Sequence, residues 1–234
     1  MSLGNGYYLC VSTCNTGIYN VERLEALITK LKTFGVNYES AHFLEIRPEE
    51  STYERLWDGV DERSDHIFSI DKLRKFFLSS LDLRLNNVLM RLVITFLDEV
   101  SYEVSLIMNY SELFESEPSS PRSVEIATRI EGLGLFLFEE LDPIYGYIGI
   151  ERGVYGIKDI NEGSGIIEND RLYFNHKIYD KIKECIDIQK TYSFCHRNKL
   201  GGCYVRKTDV NDYTLDYKDN EIALLTNIFK SVLI

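Results

Sequence analysis

The stretch 123–152 constrains the fold more than any other part of the chain. Its apolar residues recur every three or four positions, which is typical of the buried face of an α-helix. The main members of this stripe are Ile126, Ile130, Leu133, Leu137 and Leu141. Pro143 follows directly, and because proline clashes with the turn before it, we expect the helix to end by Asp142. The pattern predicts a central helix at about 123–141, followed by a strand at 144–150.

Two glycines, Gly132 and Gly134, interrupt the pattern of this helix. Each lowers helix propensity by about 1 kcal/mol relative to alanine. Since a glycine has no side chain, we expect both to allow a close approach of the helix to a sheet.

A long hairpin is predicted in the first half of the chain. Even-numbered residues are apolar throughout 88–96 and 102–110, while charged and polar residues interrupt the odd positions. Because even residues must face even residues, Phe96 is predicted opposite Tyr102, with a three-residue loop at 98–100. The alternation predicts that one face of this hairpin is buried.

A second, shorter hairpin is predicted within 192–208. A four-residue loop at 198–201 would place His196 opposite Cys203, on the same face as core residues. The same register turns Cys195 to the other face. This pairing matters because it decides which thiol and imidazole groups meet.

These elements predict an α+β protein, with antiparallel hairpins and a mixed sheet packed on one side against helices. We expect a single compact unit over 1–234. An internal boundary is predicted, if the chain has one, within 111–122, which contains two prolines and four serines. The polar stretch 48–66 is expected to be a surface excursion.

The chain is acidic, since 26 Lys and Arg residues stand against 37 Asp and Glu residues and give a net charge of −11. A field of this sign repels phosphate backbones and attracts cationic proteins. We therefore expect no nucleic-acid partner, and a basic protein is the partner class that the charge favours. The acidity also has a simpler explanation, because a large net charge keeps a protein in solution.

Composition also predicts the compartment. No apolar run reaches the length of about 18 residues that a membrane span requires, so we expect no membrane partner. The chain starts without the pattern of a secretory signal. Its five cysteines are an odd number, which argues against a closed disulfide framework. We expect a cytoplasmic protein with reduced thiols, and a homodimer by default because two-fold pairs are the commonest oligomers.

The motifs of common catalytic and cofactor sites are missing. The sequence has no G-x-x-x-x-G-K-[ST], G-x-G-x-x-G, H-E-x-x-H, G-x-S-x-G or C-x-x-C pattern. We therefore expect no cofactor, and the sequence favours a protein that is not an enzyme.

Two groups of candidate site residues remain. Asp142, Tyr145 and Glu151 lie at a helix-to-strand junction, where their carboxylates and phenol could exchange protons. His196 and Cys203 offer a base and a nucleophile or, with neighbouring cysteines, the ligand types of a zinc site. The spacing matches no zinc knuckle, so we expect no metal, and core packing is the simpler interpretation. These groups define the alternative function, a small-molecule-binding protein or an enzyme.

The segment LDPIYGYI, residues 141–148, joins the central helix to the next strand. An acidic α+β chain of this size with this segment resembles some bacterial immunity proteins, which neutralise toxins by binding them. The resemblance covers eight residues and does not name a family. With the acidity and the 16 tyrosines, it predicts a non-catalytic interaction or inhibitor protein of the immunity type, with an acidic, tyrosine-bearing surface.

Overall fold

The computed structural model describes residues 8–17, 20–44, 62–65, 68–73, 77–85, 88–114, 120–150, 154–162, 171–213 and 219–233. Within these ranges the strands are β1 (Tyr8–Thr16), β2 (Val36–Leu44), β3 (Glu62–Asp65), β4 (Phe77–Leu85), β5 (Val88–Phe96), β6 (Ser101–Asn109), β7 (Tyr145–Ile150), β8 (Arg171–Phe174), β9 (Phe194–Arg197) and β10 (Cys203–Arg206). The helices are α1 (Val21–Leu31), α2 (Ile70–Leu73), α3 (Tyr110–Leu113), α4 (Pro121–Leu141), α5 (Ile157–Glu162), α6 (His176–Cys185), α7 (Ile188–Thr191) and α8 (Asp219–Leu233).

The ten strands form one sheet, in the order β3-β2-β4-β5-β6-β1-β7-β8-β10-β9. The predicted α+β class is confirmed. The expectation of a mixed sheet is corrected, because every pairing between described strands is antiparallel. The reason lies in the strand order: β1 and β2 run in the same direction, but β4, β5 and β6 separate them, so these two strands do not pair.

Helices lie on both faces of the sheet, whereas the sequence led us to expect them on one. The first core contains the buried residues of α1 and α4, and the second contains those of α5, α6 and α8. Strand β1 contributes to both, since Leu9 and Val11 belong to the first core while Cys10 and Cys14 belong to the second. Its alternating side chains are therefore covered on both sides.

Helix α4 ends where the sequence predicts and begins two residues earlier, at Pro121. The Ser120 hydroxyl accepts a hydrogen bond from the Ser123 N–H at 3.2 Å and caps the first turn. The helix ends at Asp142, which adopts the left-handed conformation with φ 42°. Gly134 allows the expected close approach, because a Cβ atom there would lie 2.5 Å from Cδ1 of Ile148. Gly132 does not, because no described atom lies within 4 Å of that position.

The register of the long hairpin is confirmed. Phe96 lies opposite Tyr102 in the β5–β6 pair. The Leu97 N–H donates to the Ser101 carbonyl at 3.0 Å and closes the three-residue loop 98–100. The hairpin places its apolar residues in the first core.

The predicted register of the short hairpin was wrong by one residue. In the β9–β10 pair His196 lies opposite Tyr204, and Arg197 lies opposite Cys203. Because side chains alternate along a strand, this shift puts His196 and Cys203 on opposite faces. It also puts Cys195 on the same face as Cys203.

The loop of the short hairpin explains the shift. It has five residues, 198–202, and not four, and the Asn198 N–H donates to the Gly202 carbonyl at 3.0 Å. The Asn198 Oδ1 accepts from the N–H groups of Leu200 and Gly202, at 3.0 and 2.9 Å. Gly201 completes the turn with φ 88°. An asparagine side chain that bonds to its own loop is a local turn signal that strand alternation does not contain.

The remaining expectations on organisation have mixed outcomes. Residues 62–65 of the predicted surface excursion form the edge strand β3, paired with β2. Residues 45–61, 66–67 and 115–119 lie outside the described residues, and the single-unit organisation stays a prediction. Among the helices of the described ranges, none is long and apolar enough to span a membrane.

Candidate functional site

The structure separates the candidate residues of the helix-to-strand junction. The Asp142 carboxylate accepts a hydrogen bond from the Tyr173 hydroxyl at 3.3 Å, on the side of the sheet that α4 covers. Tyr145 is fully buried in the core on the opposite face. Glu151 lies outside the described residues. Whether these residues take part in chemistry stays a prediction.

The second candidate pair is also separated. His196 is exposed on the edge strand β9, whereas Cys203 is fully buried and faces the other side. Within the described ranges, no three His, Cys, Asp or Glu side chains cluster as a metal site would require. Core packing, the simpler interpretation, holds for Cys203 but is wrong for the exposed His196. Catalysis by either residue stays a prediction.

Tyr145 has a clear structural role, because its hydroxyl holds the backbone of Tyr155. It donates to the Tyr155 carbonyl at 2.8 Å and accepts from the Tyr155 N–H at 2.7 Å. Burial raises the pKa of Tyr145 well above its ordinary value. The hydroxyl therefore stays protonated and can make both bonds.

Three further side chains of the long hairpin hold the same segment. The Asp98 carboxylate accepts from the Lys158 N–H at 3.0 Å, and the Ser101 hydroxyl accepts from the Ile157 N–H at 3.3 Å. The Glu103 carboxylate accepts from the Val154 N–H. Together with Tyr145, they bond to four backbone N–H groups within 154–158.

The fifth N–H group of this segment is satisfied within it. The Gly156 N–H donates to the Asp159 carboxylate at 3.4 Å. Gly156 also needs to be a glycine, because a Cβ atom there would lie 2.5 Å from Oδ2 of Asp98. Residues 154–158 thus comprise an irregular stretch, 154–156, and the first two residues of α5, and the backbone of this segment is fixed residue by residue.

The two carboxylates that hold the segment are in different electrostatic situations. Burial alone would raise the pKa of Asp98, but the hydrogen bonds from Lys158, Ser101 and Val100 lower it below its ordinary value. For Glu103 burial dominates and raises the pKa, although hydrogen bonds to its carboxylate oppose the shift. Asp98 is therefore held as a carboxylate, while Glu103 is the group that protonates first on acidification.

We define the acidic loop surface as Glu99, Val100, Tyr155, Asp159 and Glu162. These residues come from the tip of the long hairpin, the fixed segment and helix α5, and Asp159 is half-buried. Val100 is 53% exposed and Tyr155 is 40% exposed, although both are large apolar or aromatic side chains. Glu99 and Glu162 are also exposed. The surface therefore combines two apolar contacts with three carboxylates, and the exposed Lys158 is the base nearest to them in sequence.

The acids of this surface differ from those on helices α4 and α6. Exposed acids of α4 and α6 form ion pairs, for example Glu125 with Arg129 and Glu184 with Lys181. In contrast, the acids of the acidic loop surface form no ion pair with any residue in the part of the chain that the structure describes. Their charge is therefore not neutralised by a described neighbour.

Sequence reasoning identified only part of this site. It placed Asp98 and Glu99 at a hairpin tip, and the long-hairpin register confirms that position. It did not connect the tip with residues 154–158, because hydrogen bonds across 56 and 60 residues leave no local pattern. An acid at position 103 inside a predicted strand was the one available signal.

Comparison with known proteins identifies a fold but no family. No protein-family model matches the chain, and no curated protein matches it either. The Pseudomonas aeruginosa T6SS protein PA0821 has a similar structure, with a TM-score of 0.50 and 10% sequence identity, over 97% of this chain and 74% of that chain. At this identity the similarity shows the fold alone.

Proposed function

We propose that this chain is a non-catalytic protein-interaction module of the immunity or inhibitor type, which binds a basic protein partner through the acidic loop surface. The observation that carries the proposal is a fixed segment, 154–158, that presents exposed Tyr155 beside acids without described ion-pair partners. The fold similarity to the T6SS protein PA0821 supports an interaction role only through the fold that the two chains share. A cytoplasmic location is part of the proposal, and the free cysteines agree with it.

The fixed backbone favours binding because it lowers the entropic cost of association. A loop that becomes ordered only on binding loses conformational entropy, and this cost weakens the affinity. A segment that is already held in place does not have this cost. Tyrosine is also among the residues that contribute most to interfaces, since its ring is large and rigid and carries a hydroxyl. Tyr155 therefore has the properties of a central contact.

The charges favour a cationic partner. The net charge of −11 attracts a basic protein at long range, and Glu99, Asp159 and Glu162 provide local carboxylates for its lysines and arginines. Charge complementarity of this kind mainly raises the association rate. We therefore expect binding to weaken as the salt concentration rises.

The experiment is affinity capture with the immobilised protein in a native extract of its host, followed by affinity measurement with the captured partner. We expect the wild type to retain a stoichiometric basic protein. Tyr155→Ala should weaken the complex by about 2 kcal/mol, which is about thirtyfold in Kd. Native mass spectrometry of the complex gives its stoichiometry and also tests the expected homodimer.

A charge-matched pair of variants separates the surface from the net charge. Glu162→Lys and Glu184→Lys change the net charge equally, but only Glu162 belongs to the acidic loop surface. Glu162→Lys should weaken binding, while Glu184→Lys should leave it close to wild type. Absence of a stoichiometric partner, or equal loss in both variants, would contradict the proposal.

A further inference from the structure

Two thiols on the short hairpin lie against each other. The Sγ atoms of Cys195 and Cys203 are 2.8 Å apart, and both residues are free cysteines. The β9–β10 register places them as a diagonal pair on one face, since Val205 lies opposite Cys195 and Arg197 lies opposite Cys203. A disulfide bond is about 2.05 Å long, so bond formation requires the sulfur atoms to approach by less than about 1 Å.

The two thiols differ in access. Cys195 is exposed on β9, which is the last strand in the order of the described sheet, while Cys203 is fully buried. Arg197 lies on the same face, and its guanidinium carbon is 5.2 Å from the centroid of the Tyr179 ring. Burial raises the pKa of the Cys203 thiol, and the Arg197 guanidinium opposes this shift. A small oxidant from solvent would therefore meet Cys195 first, with Cys203 in position to react next.

We propose that Cys195 and Cys203 form an oxidation site, at which a hydroperoxide such as hydrogen peroxide converts the two thiols into an intramolecular disulfide that a dithiol reverses. This inference is independent of the proposed function, because it rests on a different hairpin and on different residues. The modification would be covalent and reversible.

The chemistry proceeds in two balanced steps. The Cys195 thiolate attacks one peroxide oxygen, the O–O bond breaks, and the products are a sulfenic acid and hydroxide. The Cys203 sulfur then attacks the sulfenic sulfur, an S–S bond forms, and the hydroxyl leaves with the thiol proton as water. Two thiols lose two electrons in total, and the peroxide is reduced to two water molecules once the hydroxide takes up the first thiol's proton.

The structural effect is a covalent link within the edge hairpin. The disulfide would close the loop between β9 and β10 and tie the edge strand to the interior strand. Because Cys203 lies in the second core, the link would also fix β9 to the part of the sheet that α6 covers. We therefore expect the oxidised protein to have a higher midpoint of thermal unfolding than the reduced protein.

The test is treatment of the fully reduced protein with hydrogen peroxide, followed by thiol alkylation and mass spectrometry. We expect the intact mass to fall by two hydrogen atoms. Non-reducing tryptic digestion should yield one linked product, of peptides 191–197 and 200–206, because Arg197 and Lys199 are cleavage sites between the cysteines. Dithiothreitol should restore both free thiols.

Three variants make the result specific. Cys203→Ser should give no link and should accumulate a sulfenic acid at Cys195, which dimedone traps. Cys195→Ser should leave Cys203 unmodified. Because Cys195 is exposed, this variant should fold, so the proposal stays testable even if the buried substitution Cys203→Ser impairs folding. Cys185→Ser, which removes another exposed cysteine, should leave the link unchanged. Alkylation of both thiols after peroxide treatment, or a link to Cys185, would overturn the proposal.

Discussion

The two hairpins β5–β6 and β9–β10 differ in how the rest of the molecule uses them. The first has strands of nine residues in the interior of the sheet, and its tip holds the acidic loop surface. The second has strands of four residues and ends the described sheet at an exposed edge strand. The first is suited to hold another segment rigidly, whereas the second leaves a thiol accessible to solvent.

This difference shows how burial and length specify register. In the long hairpin a shift by one residue would turn the even-numbered apolar residues of one strand away from the first core, so the register is strongly determined. In the short hairpin most of β9 is exposed, and a shift would change the burial of few side chains. There the register depends on the turn, and Asn198 and Gly201 determine it locally.

The largest expected effect comes from removing a core side chain of the long hairpin. Leu92 is fully buried in β5, so Leu92→Ala should lower the free energy of unfolding by about 2–5 kcal/mol through lost burial and a cavity. Leu200, in the short hairpin, is 50% exposed. Leu200→Ala should therefore change the free energy of unfolding by less than about 0.5 kcal/mol. Chemical denaturation of both variants measures the difference. Similar losses at the two positions would remove the contrast between the hairpins.

The next effect concerns the tip of the long hairpin. Asp98→Asn keeps the size of the side chain but removes the charge that strengthens its bonds to the Lys158 and Val100 N–H groups, and it should cost about 1–3 kcal/mol at pH 7. The pKa of Asp98 is lowered on folding, so its stabilisation is present above the ordinary value of 3.8 and is lost as pH falls through the folded value. The variant and the wild type should therefore converge in acid denaturation curves.

Glu103→Gln is the control, because it should change the stability at pH 7 in the opposite direction to Asp98→Asn. Burial raises the pKa of Glu103, so its ionised form is disfavoured by folding and its contribution is lost as pH rises through the folded value. Glu103→Gln should be slightly more stable than the wild type at pH 7, and the difference should disappear below the ordinary value of 4.5. If Glu103→Gln lost as much stability at pH 7 as Asp98→Asn, the electrostatic difference between the Asp98 and Glu103 carboxylates would be contradicted.

Two glycine substitutions test the turn of the short hairpin against a helical position. Gly201 has φ 88°, which a side chain with Cβ adopts only with strain, so Gly201→Ala should cost about 1–2 kcal/mol. Gly132 has helical geometry and no described atom within 4 Å of an added Cβ, so Gly132→Ala should gain up to about 1 kcal/mol. Thermal unfolding should show a lower midpoint for Gly201→Ala and a higher midpoint for Gly132→Ala than for the wild type. A neutral Gly201→Ala would contradict the five-residue loop.

Much of the fold follows from local patterns, but the site does not. The helix at 121–141 and the long hairpin have strong periodicities, and both were predicted. Strands β3, β4 and β8 were not predicted, and two of them, β3 and β8, have only four residues. Helix α5 was missed because its six residues are too short for a helical period. The anchors of the acidic loop surface were missed because their partners are distant in sequence.

The sequence by itself determined the features that depend on neighbouring residues. Alternation set the register of the long hairpin, and Pro143 limited the central helix, because both act through local backbone geometry. Only the tertiary structure decided which faces the helices cover and which segment Asp98 holds. These outcomes depend on contacts between segments far apart in the chain, whose geometry is fixed when the whole core packs and not by any local pattern.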